Sequence, residues 1–226
     1  MNRIDSLYRN LKSRSILQVF TIYLRYLIGC SFIIAAIGMG KFSGIPWNGD
    51  IQLDQLHAIQ QFFRVISQSV LYWQFIGWTQ IIAGVLLVTQ RFSKAGALMF
   101  FGIILNIFMI TVSYNFKGTP VVTGLMLLAV LYLVLWDMDS LKYIFVNPEE
   151  NNLPGPVNSE IIKSPFWTYL GLFLIMLTVT GMLLEYKMFL VMFAALVAGV
   201  AGLIMYFLIR TGKSKIDMRN VRNDRE

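Results

Sequence analysis

The sequence is poor in charged residues and in the residue types that build metal or disulfide sites. Of its 226 residues, 14% are charged, one is cysteine and one is histidine, whereas soluble domains carry roughly 25% charged residues. A single cysteine excludes a disulfide framework and a cysteine-based metal cluster, and a single histidine excludes a histidine-rich site, so we predict no metal centre. The 57% of hydrophobic residues instead favours a membrane protein.

Six apolar segments are long enough to cross a bilayer, which takes about 20 mostly apolar residues. The first, 23–40, contains Arg25 near its start, and we expect that side chain to extend toward the membrane interface. The other five contain no Asp, Glu, Lys or Arg and cover residues 71–88, 95–112, 121–136, 166–184 and 188–209. The sequence therefore predicts an all-α polytopic membrane protein with six transmembrane spans.

A polar stretch divides these spans into four and two. Residues 147–163 include Pro148, Pro154 and Pro156, which are typical of a linker. We predict a four-helix membrane domain over 1–146, a cytoplasmic linker over 147–163, a transmembrane hairpin over 164–210 and a basic cytoplasmic tail over 211–226.

The basic residues predict the orientation of the spans, because cytoplasmic loops carry an excess of Lys and Arg. With both termini in the cytoplasm, four basic residues fall outside: Lys41, Arg64, Lys117 and Lys187. Fourteen fall inside: Arg3, Arg9, Lys12, Arg14, Arg91, Lys94, Lys142, Lys163, Arg210, Lys213, Lys215, Arg219, Arg222 and Arg225. The net charge of +7 is thus a topology signal, and it does not indicate nucleic-acid binding.

The segment 48–69, between the first two spans, has the pattern of an amphipathic helix at the outer surface. Its polar stripe consists of Asp50, Asp54, His57, Gln61 and Arg64, and its apolar side of Leu56, Ile59, Phe62, Phe63 and Ile66. The helix either lies on the surface or folds back over the mouth of the bundle. His57 is close enough to Asp54 to form an acid–base pair, although an exposed contact without function fits the spacing equally.

Few polar side chains lie at membrane depth, and these are the candidates for contacts with a ligand. Gln80 and Asn106 are the deepest amides, and each needs a hydrogen bond between helices or to a ligand. The candidate pocket residues are Arg25, Lys41, His57, Gln80 and Asn106. No span has Asp, Glu, Lys or His at its centre, which argues against a proton-coupled transporter.

The chain resembles the DoxX-like family of small bacterial membrane proteins over about residues 20–145. The similarity lies in Arg25 at the opening of the first helix, the run from Ile33 to Phe42 that closes it, and the glycine-rich second helix 75–88 with its basic turn 91–94. Members of that family often have a glutamate at the position of Gln80. The hairpin 164–210 lies outside the resemblance.

The resemblance implies a location in the bacterial inner (plasma) membrane and a link to redox chemistry, since some members are associated with thiosulfate:quinone oxidoreduction. We expect an accessory or partner subunit of a membrane redox assembly, which would contact the lipid bilayer and other membrane or redox proteins. The alternatives are a quinone-linked oxidoreductase subunit, with a lipophilic pocket among spans one to four, and a transporter of small solutes or lipids. The sequence leaves open whether the chain is an enzyme.

Overall fold

The computed structural model describes residues 3–47, 56–145, 161–184 and 187–223, and within these ranges the chain is helical with no strand. The helices are α1 (Arg3–Ser13), α2 (Ser15–Gly38), α3 (Ala58–Gln68), α4 (Val70–Val88), α5 (Ser93–Ser113), α6 (Thr119–Trp136), α7 (Met138–Phe145), α8 (Pro165–Leu183) and α9 (Met188–Asn223). Six of them, α2, α4, α5, α6, α8 and α9, contain apolar stretches long enough to span a bilayer. The all-α, six-span prediction is therefore confirmed.

The first span differs from the prediction at its start. Helix α2 begins at Ser15 rather than at residue 23, and it continues without interruption through Arg25. The predicted start was placed late because Arg25 was expected to mark the membrane interface. The side chain is instead 1% exposed and ion-paired within the protein, so it does not end the apolar helix.

Helices α2, α4, α5 and α6 form a closed four-helix arrangement. Helix α2 packs against α4 and α6, and α5 packs against the same two neighbours. The core consists of apolar side chains from all four helices, including Phe32, Leu87, Phe100 and Leu133. Hydroxyl groups join the helices at opposite ends of α6: Thr123 contacts Thr111 at 2.9 Å, and Tyr132 contacts Thr21 at 3.0 Å.

Glycines bring α2 and α4 into backbone contact. A Cβ atom added at Gly84 would lie 2.8 Å from the carbonyl oxygen of Gly29, and one added at Gly29 would lie 2.9 Å from the carbonyl oxygen of Gly84. Small residues let helices approach closely where lipid supplies no hydrophobic drive for association. This contact fixes the distance between the two helices that carry most of the polar groups of the bundle.

Three short helices lie around the bundle. Helix α1 packs on α2, α3 on α4, and α7 on α6. The described structure thus has the amphipathic helix that the pattern over 48–69 predicts, but it begins at Ala58. Residues 48–55, which include Asp50 and Asp54, lie outside the described residues.

The chain divides into two compact units, Met1–Thr168 and Tyr169–Glu226. The boundary falls within α8, a few residues after the end of the predicted linker 147–163, most of which lies outside the described residues. In the second unit, α8 and α9 approach each other closely at two glycines. A Cβ added at Gly181 would lie 2.6 Å from the Val191 side chain, and one added at Gly202 would lie 2.6 Å from the Leu170 side chain. Between residues 169 and 211, the described side chains that are exposed are mostly apolar, as expected for a hairpin in lipid.

Substituting Gly84 by alanine should destabilise the bundle, because the new methyl group would overlap Gly29 and Ile33. Overpacking of this kind costs about 1–3 kcal/mol. We expect a fall in the melting temperature in detergent, at about 2–4 °C per kcal/mol for a chain of this size.

Gly102→Ala is the matched control, since no atom lies within 4 Å of the position of its added Cβ. An alanine in that helix should be neutral or stabilise by up to about 1 kcal/mol. Equal effects of the two substitutions would contradict the close approach of α2 and α4.

Candidate functional site

A cavity of about 490 Å³ lies between the transmembrane helices of the first unit, near the end where α2 finishes and α4 begins. Its volume is in the range of small-molecule sites. The walls are mostly apolar and include Phe32, Ile76, Ile103, Ile107 and Met126, while Lys41, Thr79, Gln80, Asn106 and Thr123 are the principal polar groups. The shape and the lining suit a lipophilic molecule that has a polar head.

Lys41 is the charged group of the cavity. Its side chain is buried, its Nζ donates to Oε1 of Gln80 at 3.1 Å, and it lies 5.3 Å from the centre of the Trp73 ring. Among the described residues Lys41 forms no salt bridge. A buried cation without a carboxylate partner is energetically unfavourable, and burial accordingly lowers the pKa of Lys41 to about 8.

The backbone holds Lys41 in this position. The turn after α2 is closed by a hydrogen bond from the Lys41 N–H to the carbonyl oxygen of Ala36 at 3.0 Å, and Gly40 and Gly44 adopt positive φ angles of 64° and 73°. The turn packs directly on α4, since an added Cβ at Gly77 would lie 2.7 Å from both the carbonyl carbon and the Cβ of Lys41. Because the Lys41 backbone lies against Gly77, its side chain can reach Gln80, which is one turn further along α4.

Trp73 is also held in a fixed orientation. It is 1% exposed, and its Nε1 donates to the carbonyl oxygen of Ile45 at 3.0 Å. This hydrogen bond keeps the face of the Trp73 ring beside the Lys41 ammonium group. A cation–π contact of this kind offsets part of the free energy that the ammonium group loses when it is removed from water.

Helix α3 covers one side of the cavity. Phe62, Phe63 and Ile66 line it, so the helix folds over the bundle with its apolar side inward, which was one of the two arrangements considered. Of the predicted polar stripe, Gln61 donates to the carbonyl oxygen of Leu56 at 2.9 Å and Arg64 to that of Trp47 at 3.5 Å.

His57 and Asn106 have local roles in the described structure. His57 is exposed at the start of α3, does not line the cavity, and its backbone N–H donates to Gln60 Oε1 at 3.0 Å. Its proposed partner Asp54 lies outside the described residues. Asn106 lines the cavity but bonds within its own helix, to the carbonyl oxygen of Gly102 at 3.2 Å, and so does not form the interhelical bond expected of it. Three of the five candidates, Lys41, Gln80 and Asn106, therefore lie together at the cavity.

Arg25 is far along α2 from the cavity and does not extend to the interface as expected. Its Nη2 donates to Oδ2 of Asp137 at 2.7 Å, and its Nη1 to Oε1 of Gln90 at 2.9 Å. All three side chains are buried. This ion pair joins α2 to the ends of α4 and α6, which makes Arg25 a structural cross-link and removes it from the candidate pocket.

A second buried ion pair lies nearby, on the side of α1. Lys12 Nζ donates to Oδ1 of Asp139 at 2.6 Å, and the Tyr8 hydroxyl donates to the carbonyl oxygen of Trp136 at 2.6 Å. Burial and the nearby Asp139 carboxylate raise the pKa of Tyr8.

Sequence reasoning missed Lys12, Gln90, Asp137 and Asp139. The sequence feature that could have indicated them is the pair of carboxylates directly after the fourth span, Asp137 and Asp139. They lie at the same end of the bundle as Arg25.

No group of His, Cys, Asp and Glu suited to a metal ion occurs within the described part of the chain. Comparison with known proteins gives no match to a family model, to a curated protein or to a solved structure. The candidate site is therefore characterised by its own geometry: an apolar cavity, one buried cation and two amides.

Because the pKa of Lys41 is lower in the folded chain than in the unfolded chain, the free energy of unfolding depends on pH. The unfolded chain keeps this lysine protonated up to about pH 10.4, whereas the folded chain releases the proton near pH 8. Burial of the charge therefore opposes folding fully below pH 8, and this opposition declines as the pH rises from 8 to about 10.4. Between pH 7 and pH 10, the melting temperature of the wild type should rise by several degrees relative to that of Lys41→Met.

Lys94→Met is the control for this comparison, because Lys94 is exposed at the start of α5. Its melting temperature should follow that of the wild type over the same pH range. Parallel pH profiles for the wild type and Lys41→Met would show that Lys41 is not buried as a cation.

Proposed function

We propose that this protein is a membrane-embedded binding subunit that holds one lipophilic molecule in the cavity among α2, α4, α5 and α6. The observation that carries the proposal is the cavity itself, whose mostly apolar walls include a small set of polar side chains. Binding sites for small molecules combine these two features.

The size of the cavity favours a single-ring or single-chain ligand over a lipid with two acyl chains. Phe75 and Tyr72 line the cavity and are more than half exposed on a helix that spans the bilayer. A molecule dissolved in the bilayer can therefore reach the cavity sideways, without crossing water.

We further propose that the subunit belongs to a membrane redox assembly, for which a quinone is the ligand that the DoxX-like resemblance implies. Two features support this candidate. The aromatic rings of Phe63, Tyr72 and Trp73 border the cavity, and Lys41 and Gln80 can donate hydrogen bonds to a carbonyl oxygen. In this function the chain binds the quinone, and a partner protein carries out the electron transfer.

The ligand can be sought in protein purified from its own membrane in mild detergent. Solvent extraction and mass spectrometry should recover a lipophilic molecule at close to one per chain from the wild type. Ala35→Phe, which places a ring in the cavity, should release it. A quinone would be recognised by the loss of its absorbance band on chemical reduction.

Leu128→Phe serves as the matched control, because Leu128 is exposed on α6 and does not line the cavity. It should retain the ligand. The proposal is contradicted if the wild type and Ala35→Phe release the same lipids in the same amounts.

The proposed orientation places both termini in the cytoplasm of a bacterial inner membrane, as the distribution of Lys and Arg supports. The cavity then lies in the outer half of the bilayer, since Lys41 follows the first span. Single cysteines in a Cys30→Ser background can test this with a membrane-impermeant maleimide. Lys117→Cys should react in intact cells and Lys94→Cys only after permeabilisation, and the reverse pattern would contradict the orientation.

A further inference from the structure

We propose that the cavity selects amphiphiles with an anionic head group of carboxylate size, which Lys41 binds directly while the tail occupies the apolar part. This inference rests on the proposed function, because it requires the cavity to bind a lipophilic molecule, and it places an anionic amphiphile there in preference to the neutral quinone that the resemblance implies. It names the chemistry of the head group that the cavity prefers.

The charge of Lys41 is unbalanced within the cavity. Of the described residues that line the cavity, Lys41 alone is ionised at neutral pH. An ammonium group has three hydrogens to donate, and Gln80 accepts one of them. The other two have no acceptor among the described residues. An anionic oxygen from a ligand would provide the missing partner, and hydrogen bonds between charged groups are about twice as strong as neutral ones.

Lys41 is held in position before any ligand binds. The turn that carries it is in contact with Gly77, and the Trp73 ring beside its Nζ is fixed by the bond to Ile45. A lysine at a membrane boundary normally extends its flexible chain into water. Here the side chain remains buried, so an anion that binds it loses little free energy to ordering of the side chain.

The two ends of the bundle differ in how a buried cation is paired. Arg25 is buried even more deeply than Lys41, yet it is neutralised by Asp137 at 2.7 Å. Lys12 is likewise neutralised by Asp139 at 2.6 Å. Lys41 is the exception among these three buried cations, and it is also the one of the three that lines the cavity described above. The two cations that connect helices, Arg25 and Lys12, each have a carboxylate partner from the chain. Lys41 instead lines a space that a ligand can enter.

The preference can be measured with decanoate and its neutral analogue decanol. The full-length protein in detergent is loaded with radiolabelled decanoate at pH 7, and unlabelled decanoate or decanol is added to displace it. We expect decanoate to bind about 10- to 100-fold more tightly than decanol, which is the range expected of a charge-assisted hydrogen bond.

Variants locate the preference at Lys41. Lys41→Met should abolish the advantage of decanoate and leave decanol within about twofold of its wild-type affinity, whereas Lys41→Arg should retain most of the advantage. Lys94→Met, at an exposed lysine, should behave as the wild type. Elution volume and melting temperature show whether each variant is folded, and the comparison of the two ligands on the wild type needs no variant.

Each outcome decides the matter. Equal, saturable binding of decanoate and decanol that Ala35→Phe blocks would overturn the anionic preference and leave the proposed function intact, in favour of a neutral ligand such as a quinone. An advantage of decanoate that persists in Lys41→Met would also overturn it, because the charge would then come from elsewhere. No saturable binding of either compound would contradict both proposals.

Discussion

The contact between α2 and α4 is the constraint on which the rest of the first unit depends. Gly29 and Gly84 let the two backbones touch, and Gly77 brings the turn after α2 onto the same helix. Helices in lipid associate through packing and polar contacts, because lipid tails are as apolar as the side chains. The close approach therefore determines where Lys41, Trp73 and Gln80 meet beside the cavity.

Buried cations have different partners at the two ends of the bundle. At one end Arg25 and Lys12 pair with Asp137 and Asp139, and these pairs tie α1, α2 and α4 to the end of α6 and to α7. At the other end Lys41 has an amide and an aromatic ring as neighbours. Removing one partner of a buried pair costs several kcal/mol, so the first end is suited to holding the fold. At the second end, the charge of Lys41 has no carboxylate partner among the described residues. The cavity lies at this end.

Much of the fold follows from the sequence, because the thickness of the bilayer fixes the length of every apolar helix. The predicted bounds of the last five spans agree with the structure to within about two residues. The pattern predicts too late a start for α2 because the partner of Arg25 is 112 residues away in the chain, and hydropathy carries no information about such pairs. The sequence indicates Gln80 as a deep amide of its span and Lys41 as a basic residue at the end of the first span, and it makes both candidates for the pocket. Their contact, and the exclusion of His57 and Arg25 from the cavity, depend on packing that the pattern of residues does not encode.

The proposed function requires that Lys41 be buried beside the cavity without a carboxylate partner when the protein is folded in its membrane. An experimental structure determined in lipid nanodiscs, without added ligand, tests it most directly. We predict density in the cavity for a lipophilic molecule, with an oxygen of its head group within hydrogen-bonding distance of Lys41 Nζ. A carboxylate of the chain itself on Lys41, or a cavity closed by the protein's own side chains, would contradict the account.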